Sequence, residues 1–431
     1  MVRRSIVIGA LISSSLPSLA VAQAGPPAVQ LGGLIREALE SNPDLVALRA
    51  RHAAARLKPE TERFLMPPMV EGQAVEWPVN SWNPRNAQWM VMLQQDLPGR
   101  GKRSLRADVM SREAAVAGND VDVKAREVIG QLKQSWAEYT LAVSSLTIYD
   151  EALGVLRQAA DLAEVKYATG RGMQQDLHKV LLDMSRLYER KVMASEQARM
   201  AEARLNALVG RPQGTELGSA AESDGALALP GSDALQRAAL EQHPELRGLA
   251  LEIETAQASV AVARAERKPD FFIQGGYMVM PYMPDSLTAR VGVTWPGAPW
   301  VRKRLDAVDR AAQADVESAR ARQQAAANRI RLMVHEAWLK VKSAEEREAL
   351  LRTSVLPQTE HTLEMTRLAY QGDRGDFMSF LDTQRMLIEM RLEHRRVLSD
   401  RDRALAELEL AVGVDLTSIA PTAAGGLVLA R

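Results

Sequence analysis

The sequence has no cysteine, few aromatics, no net charge and, beyond its first residues, no long apolar run. Each absence excludes something. Without cysteine in 431 residues there is no disulfide and no thiol to carry a lipid, so an exported chain of this kind must draw its stability from packing or assembly. Lys+Arg and Asp+Glu balance at 54 each. A protein built to read phosphate backbones carries a basic excess, so nucleic acid is not expected as a partner. Aromatics make up 4% of residues, and Ala, Arg, Glu, Leu and Gln are abundant. That composition favours long helices with narrow apolar seams over a thick globular core. The six histidines are scattered, with no zinc-enzyme spacing, phosphate loop or nucleophile elbow, so neither an enzyme nor a cofactor is expected. No later segment is long and apolar enough for a transmembrane helix; entry into a membrane would require a barrel.

What is present begins with a leader. Arg3 and Arg4 precede a short apolar stretch, Ile6 to Leu19, and Ala20-Val21-Ala22 and Ala22-Gln23-Ala24 offer cleavage sites. Residues 1–24 therefore read as a secretory signal, cut after Ala22 or Ala24.

The rest is written twice. Glu40-Ser41-Asn42-Pro43-Asp44-Leu45 matches Glu241-Gln242-His243-Pro244-Glu245-Leu246; Leu97-Pro98-Gly99 matches Trp295-Pro296-Gly297; Trp136 matches Trp338. Tyr167 with Arg171-Gly172 matches Tyr370 with Arg374-Gly375, and Leu205 to Gly210 matches Leu408 to Gly413. The offset stays between 198 and 203, which marks a tandem repeat. The expected divisions are residues 25–210 for the first repeat, 211–231 for a connector, 232–413 for the second repeat and 414–431 for a tail.

Each repeat reads as an opening helix, two extended segments, a very long helix, a glycine-containing turn and a return helix. The opening helices are expected over Leu31 to Arg63 and Ser232 to Lys268, and the long ones over Arg103 to Ala168 and Lys303 to Ala369. A helix of about 65 residues spans about 100 Å at 1.5 Å per residue. The return helices, Gln174 to Val209 and Phe377 to Val412, add to the opening ones to reach a similar length. Stacking these end to end beside the long helix gives two helical strands per repeat. Seams such as Leu177, Val180, Met184 and Leu187 suit knobs-into-holes packing. Pro357 falls inside the second long helix with no counterpart in the first, and is expected to interrupt and kink it there.

The extended segments run from Pro68 to Trp77, Ala87 to Leu97, Asp270 to Met280 and Ser286 to Trp295. Their lengths suit tilted transmembrane strands of about 9–11 residues. Leu287, Ala289, Val291 and Val293 alternate with polar or small residues, as in a wall between lipid and water. Five of the seven Trp (Trp77, Trp82, Trp89, Trp295, Trp300) lie in or beside these segments, where interfacial girdles place them. Four strands cannot close a barrel, and open edges cannot face lipid, so the chain must oligomerise. Geometry alone leaves a trimer of twelve strands or a tetramer.

Two residue sets near the strands carry chemistry. Arg100, Lys102 and Arg103, with Arg302, Lys303 and Arg304, are either head-group contacts or solvated charge. Met90, Met92, Met278, Met280 and Met283 are either soft-metal contacts or lipid-facing packing.

With the repeat and strands in hand, the chain resembles the TolC-type outer membrane factors. Leu97-Pro98-Gly99-Arg100-Gly101-Lys102 and Gln174-Gln175-Asp176-Leu177 resemble the branch of that family serving heavy-metal efflux. The resemblance implies a mostly helical protomer with four transmembrane strands, closing as a homotrimer into a 12-stranded barrel and a helical periplasmic tunnel. It implies an outer-membrane exit duct taking substrate, heavy-metal cations above all, from a periplasmic adaptor and an inner-membrane RND pump. A duct for ABC-driven protein or drug export, and a periplasmic coiled-coil scaffold without channel activity, are the alternatives. The resemblance places Tyr167, Gly170 and Asp176 at the first tip, and Tyr370, Asp373, Arg374, Asp376 and Asp382 at the second. There Asp382, with Asp376 or Asp373, would form an acidic gate paired with Arg374, moved by a hinge at Pro357.

Overall fold

The computed structural model describes residues 30–77, 79, 83–218, 229–281, 283–372 and 374–416. The expected leader, part of the connector, Trp82, Asp373 and all but the first residues of the tail lie outside the described residues.

The first repeat begins with α1 (Leu31–Ser41) and α2 (Pro43–Arg63). The single opening helix expected here is split, and so is its counterpart, into α5 (Ser232–Gln242) and α6 (Pro244–Ala265). The cause is the proline of the repeat motif. It restricts the residue before it to extended backbone and lacks the N–H an interior helical residue needs, so it opens a new helix instead. Asn42, with ψ 123°, takes the N-cap and accepts hydrogen bonds from the N–H groups of Asp44 (3.0 Å) and Leu45 (3.2 Å). His243 does the same for α6, its Nδ1 accepting from Glu245 N–H at 3.2 Å.

The strands are β1 (Met69–Glu76), β2 (Gln88–Leu97), β3 (Phe271–Val279) and β4 (Ser286–Val293). They form one antiparallel sheet in that order, joined across the repeats by β2 and β3. Met280 and Trp295, expected inside strands, lie just past them.

The long helix of the first repeat is α3 (Lys102–Ala168), unbroken over 67 residues, and the return helix is α4 (Gln174–Val209). The second long helix is α7 (Pro299–Leu350), one π-helical turn (Leu351–Val355) and α8 (Leu356–Gln371); α9 (Phe377–Val412) returns. Pro357 therefore does not interrupt the helix. The ladder widens by one residue in the turn before the proline, and Pro357 falls in the first turn of α8, where no amide donor is required.

The opening and return helices stack along the long one, as expected: α2 and α4 both pack on α3, and α1 meets α4. The stacking point is built from the repeat motifs. Gly210 (φ +83°) ends α4 so close to Ser41 that an added Cβ would lie 3.1 Å from its carbonyl oxygen, and Asn42 Nδ2 donates to Leu208 O at 2.7 Å. In the second repeat Gly413 (φ +83°) ends α9 against Pro244, whose Cδ would be 2.8 Å from an added Cβ. Three apolar clusters line the helices. One surrounds Leu132, Leu205 and Leu34 in the first repeat, and one Ile330, Val334 and Leu408 in the second. The third joins α3, α4, α8 and α9 near the tips, around Val180, Leu153 and Leu381.

Candidate functional site: a two-faced sheet and paired hairpin tips

Strand parity and register sort the sheet into two faces. Val70, Leu93, Gly275 and Ala289 line up across all four strands, as do Gly72, Val91, Tyr277 and Leu287; with the row Gln95, Ile273, Val291 they make one face largely apolar. The other face carries the rows Met69, Gln94, Gln274, Arg290; Glu71, Met92, Gly276, Thr288; and Gln73, Met90, Met278, Ser286. Met90, Met92 and Met278 thus lie on the polar face. Val91 and Tyr277 lie on the opposite face. Among the described residues β1 and β4 each pair on one side only. Two tryptophan pairs mark the ends of the sheet: Trp77 with Trp89 (ring centroids 6.0 Å apart) at the far end, and Trp295 with Trp300 (6.1 Å) where the helices begin. β2 has ten residues, about 33 Å of strand; tilted as barrel strands are, it covers the ~25 Å of an apolar membrane band.

At the helix end of the sheet the two repeats are locked together. Gly99 approaches Pro269 so closely that an added Cβ would be 2.4 Å from its carbonyl oxygen, and its N–H donates to Asp270 Oδ1 at 2.6 Å. Gly101 starts α3 with φ +87°. Lys102, 2% exposed, reaches Asp270 (2.9 Å) and Glu266 (3.3 Å), and Arg106 reaches Glu266 at 2.7 Å. Burial pushes the Glu266 carboxyl up, but the bonds from Arg106 and Lys102 outweigh it and hold the pKa below the usual carboxylate value. Lys102 is therefore spent inside the protein and is not a head-group contact. Arg103 donates to Arg63 O at 3.0 Å. Arg100, Arg302, Lys303 and Arg304 are exposed.

The two tips share a construction. Arg171 N–H bonds to Lys166 O (2.8 Å) and Arg374 N–H to Ala369 O (2.9 Å), the same five-residue closure at the end of each long helix. Gly170 has φ +71°, and an added Cβ at Gly172 or Gly375 would lie 3.0 or 2.8 Å from the Cβ of Lys166 or Ala369. The repeat-related tyrosines then diverge. Tyr167 is exposed. Tyr370 is buried against Phe377 (4.9 Å between centroids) and Phe380 (6.3 Å, stacked), with Lys166 Nζ 4.0 Å over its ring. The same Nζ donates to the Tyr370 carbonyl oxygen, at the helix end where a cation is favoured.

Asp376 and Arg374 are exposed, and Asp376 takes the N-cap position of α9 without capping through its side chain. Asp176 lies in the first turn of α4. Asp382 is exposed but pairs with Arg385 (2.8 Å), not with Arg374. Arg385 also grips Asp183 of α4 with two nitrogens, at 2.8 and 2.9 Å. Asp183, Arg385 and Lys166 were missed in the sequence. The available signal was a carboxylate in the apolar seam between Val180 and Met184, matched by no acid at the corresponding Met386.

No protein-family model matches the sequence. The cobalt-zinc-cadmium resistance protein CzcC of Cupriavidus metallidurans is 23% identical over 322 residues, 73% of this chain and 74% of the relative. Among solved structures, CusC superposes with a TM-score of 0.74 at 18% identity, covering 90% of this chain and 93% of the other. The outer-membrane channel OprN does so with 0.74 at 16% identity and 90% coverage of both. The open-state MtrE outer membrane channel of Neisseria gonorrhoeae scores 0.74 at 16% identity, with 90% and 89% covered.

Proposed function

We propose that this chain, which has the protomer fold of the TolC-like outer membrane factors, is an outer-membrane channel: the exit duct of a tripartite efflux system. One observation carries the reading. A four-stranded sheet of membrane height, apolar on one side and polar on the other, has two unpaired edges, and it grows directly into helical hairpins about 100 Å long. Unpaired backbone is not tolerated in lipid, so β4 of one copy pairs with β1 of the next. Three copies give twelve strands, wide enough for a passage lined by the polar face. The helical hairpins continue the passage into the periplasm, and the tips meet an adaptor protein.

Transport through such a duct needs no bond-making chemistry in this chain, and its energy comes from the inner-membrane pump. The likeness to CzcC supports heavy-metal cations as the substrate class and an RND pump as the partner. Asp376 and Asp382 at the second tip supply the negative charge a cation would meet on entry. The ties from Lys166 to Tyr370 and from Arg385 to Asp183 hold the two hairpins of one protomer together at that entrance.

The test is direct. The full-length protein should fractionate with the outer membrane, run as a trimer that heat dissociates, and form conducting pores in planar bilayers. A deletion strain should lose tolerance to cobalt, zinc or cadmium and regain it with the gene. Monomeric, non-conducting protein in the periplasmic fraction would instead identify a coiled-coil scaffold. Unchanged metal tolerance with lost drug or protein export would reassign the pump.

A further inference from the structure

The methionines on the polar face have no role in a wall that separates lipid from water. The apolar requirement is met on the opposite face by Val91, Leu93, Ile273, Tyr277 and Val291, and the residues that share rows with the methionines are Gln73, Glu71, Ser286 and Thr288. Their arrangement is specific. Met90 and Met278 are direct partners across β2 and β3, and Met92 is two residues further along the same face. Met92 sits opposite Gly276 and lies across its bare backbone: a Cβ there would be 3.1 Å from Met92 Cγ. The Met92 sulfur accepts a hydrogen bond from Gln274 Nε2 at 3.2 Å, which orients an otherwise flexible side chain. Glu71 is the register partner of Met92 on its other side, placing a carboxylate beside the group. All three methionines are half-buried.

We propose that Met90, Met92 and Met278 form a binding site for a soft monovalent cation, Cu(I) or Ag(I). Neutral thioethers hold such ions through polarisable sulfur and bind hard divalent ions poorly. Among the described residues there is no group of three or more His, Cys, Asp or Glu able to hold a metal. An open, uncharged ligand set releases its ion readily, which suits a contact point in a passage better than a trap. That last consequence rests on the exit-duct reading, because it requires the polar face to line the lumen; the binding itself does not.

The experiment titrates Ag(I), a redox-inert probe, into the detergent-purified full-length trimer by calorimetry, with Zn(II) as the comparison ion. Met→Leu substitutions conserve volume and should leave assembly intact. The wild type should bind Ag(I) and not Zn(II) at the sheet, and Met90→Leu with Met278→Leu should weaken Ag(I) at least tenfold while Met193→Leu with Met200→Leu, exposed on α4, changes nothing. Retained Ag(I) affinity in the Met90/Met278 variant that still runs as a trimer overturns the proposal, as does equal loss in the α4 control. Pore conductance of the same samples separates the two claims. Silver binding without conductance refutes the duct and leaves the site standing; conductance without methionine-dependent binding refutes the site alone.

Discussion

Arg385→Ala tests the tie between the two hairpins. Asp183 is 7% exposed and its carboxylate is gripped by two guanidinium nitrogens; the Arg385 side chain is 40% exposed. Removing one partner of a fully buried pair costs about 3–5 kcal/mol, because the remaining charge stays buried alone. Water reaching the arginine side lowers that toward about 2 kcal/mol. If the closed tip depends on this tie, its opening equilibrium shifts by about thirtyfold. Single-channel recording should show a raised open probability, and hydrogen exchange should accelerate over residues 164–175 and 368–385 while the sheet is unaffected. Asp183→Leu combined with Arg385→Leu removes both charges and should restore most of the stability without restoring any preference for cations. Two further features sharpen the test: Lys166→Met should act on the same segments through its bond to Tyr370 O, and Asp382→Asn, whose partner is on its own helix, should change conductance more than stability. Unaltered exchange and open probability in both Arg385→Ala and Lys166→Met would refute a role for these ties in holding the tips.

Three other outcomes follow from the helix junctions and the sheet base. Gly413→Ala, with φ +83° and Pro244 Cδ 2.8 Å from the new Cβ, should destabilise by about 2–3 kcal/mol, against about 1 kcal/mol for Gly214→Ala, where φ is +86° but the space is open; thermal unfolding compares them. His243 caps α6 only with a neutral acceptor nitrogen; burial lowers its pKa, opposed by Glu245 and reinforced by Arg329. A lowered folded pKa means the unfolded chain takes the proton first, so the contribution is complete above about pH 6.5 and is lost as the pH falls below it. His243→Asn, the residue at the matching cap, should flatten that part of the stability profile, read by denaturation between pH 5 and 8. Lys102→Met should lower unfolding stability by about 1–2 kcal/mol, since Glu266 and Asp270 lose a shared cation while remaining partly wet; Arg302→Gln, on an exposed residue, should leave stability unchanged and weaken only binding to anionic vesicles.

Much of the architecture was legible because its signals are local. The return helices fall at Gln174–Val209 and Phe377–Val412, as read from seam spacing and terminal glycines. The strands deviate by a residue or two, because alternation reports parity well and ends poorly. The split at Asn42 and His243 is legible in Pro43 and Pro244, which open helices as well as mark the repeat. The pairing of Met90 with Met278 could not be read from either strand alone. Parity puts Met90 and Met92 on the side of Gln94, and Met278 on the side of Gln274, but only the register brings Met90 and Met278 opposite each other. Lys102 looked like surface charge because its partners, Glu266 and Asp270, arrive from more than 160 residues away. The Asp183–Arg385 pair spans 202 residues and breaks the repeat symmetry, so no comparison of the halves could pair them.

That broken symmetry has an evolutionary consequence. Had the two halves remained separate chains, six identical hairpins would share one sequence. Fused in one chain, they are free to diverge. The first has a regular α-helix over 67 residues and a lysine at position 166; the second has a π turn before Pro357 and an alanine, Ala369, at the corresponding site. In the proposed trimer, the fused repeat places six hairpins of two different sequences around a single passage, an alternation that a homohexamer of one half could not encode.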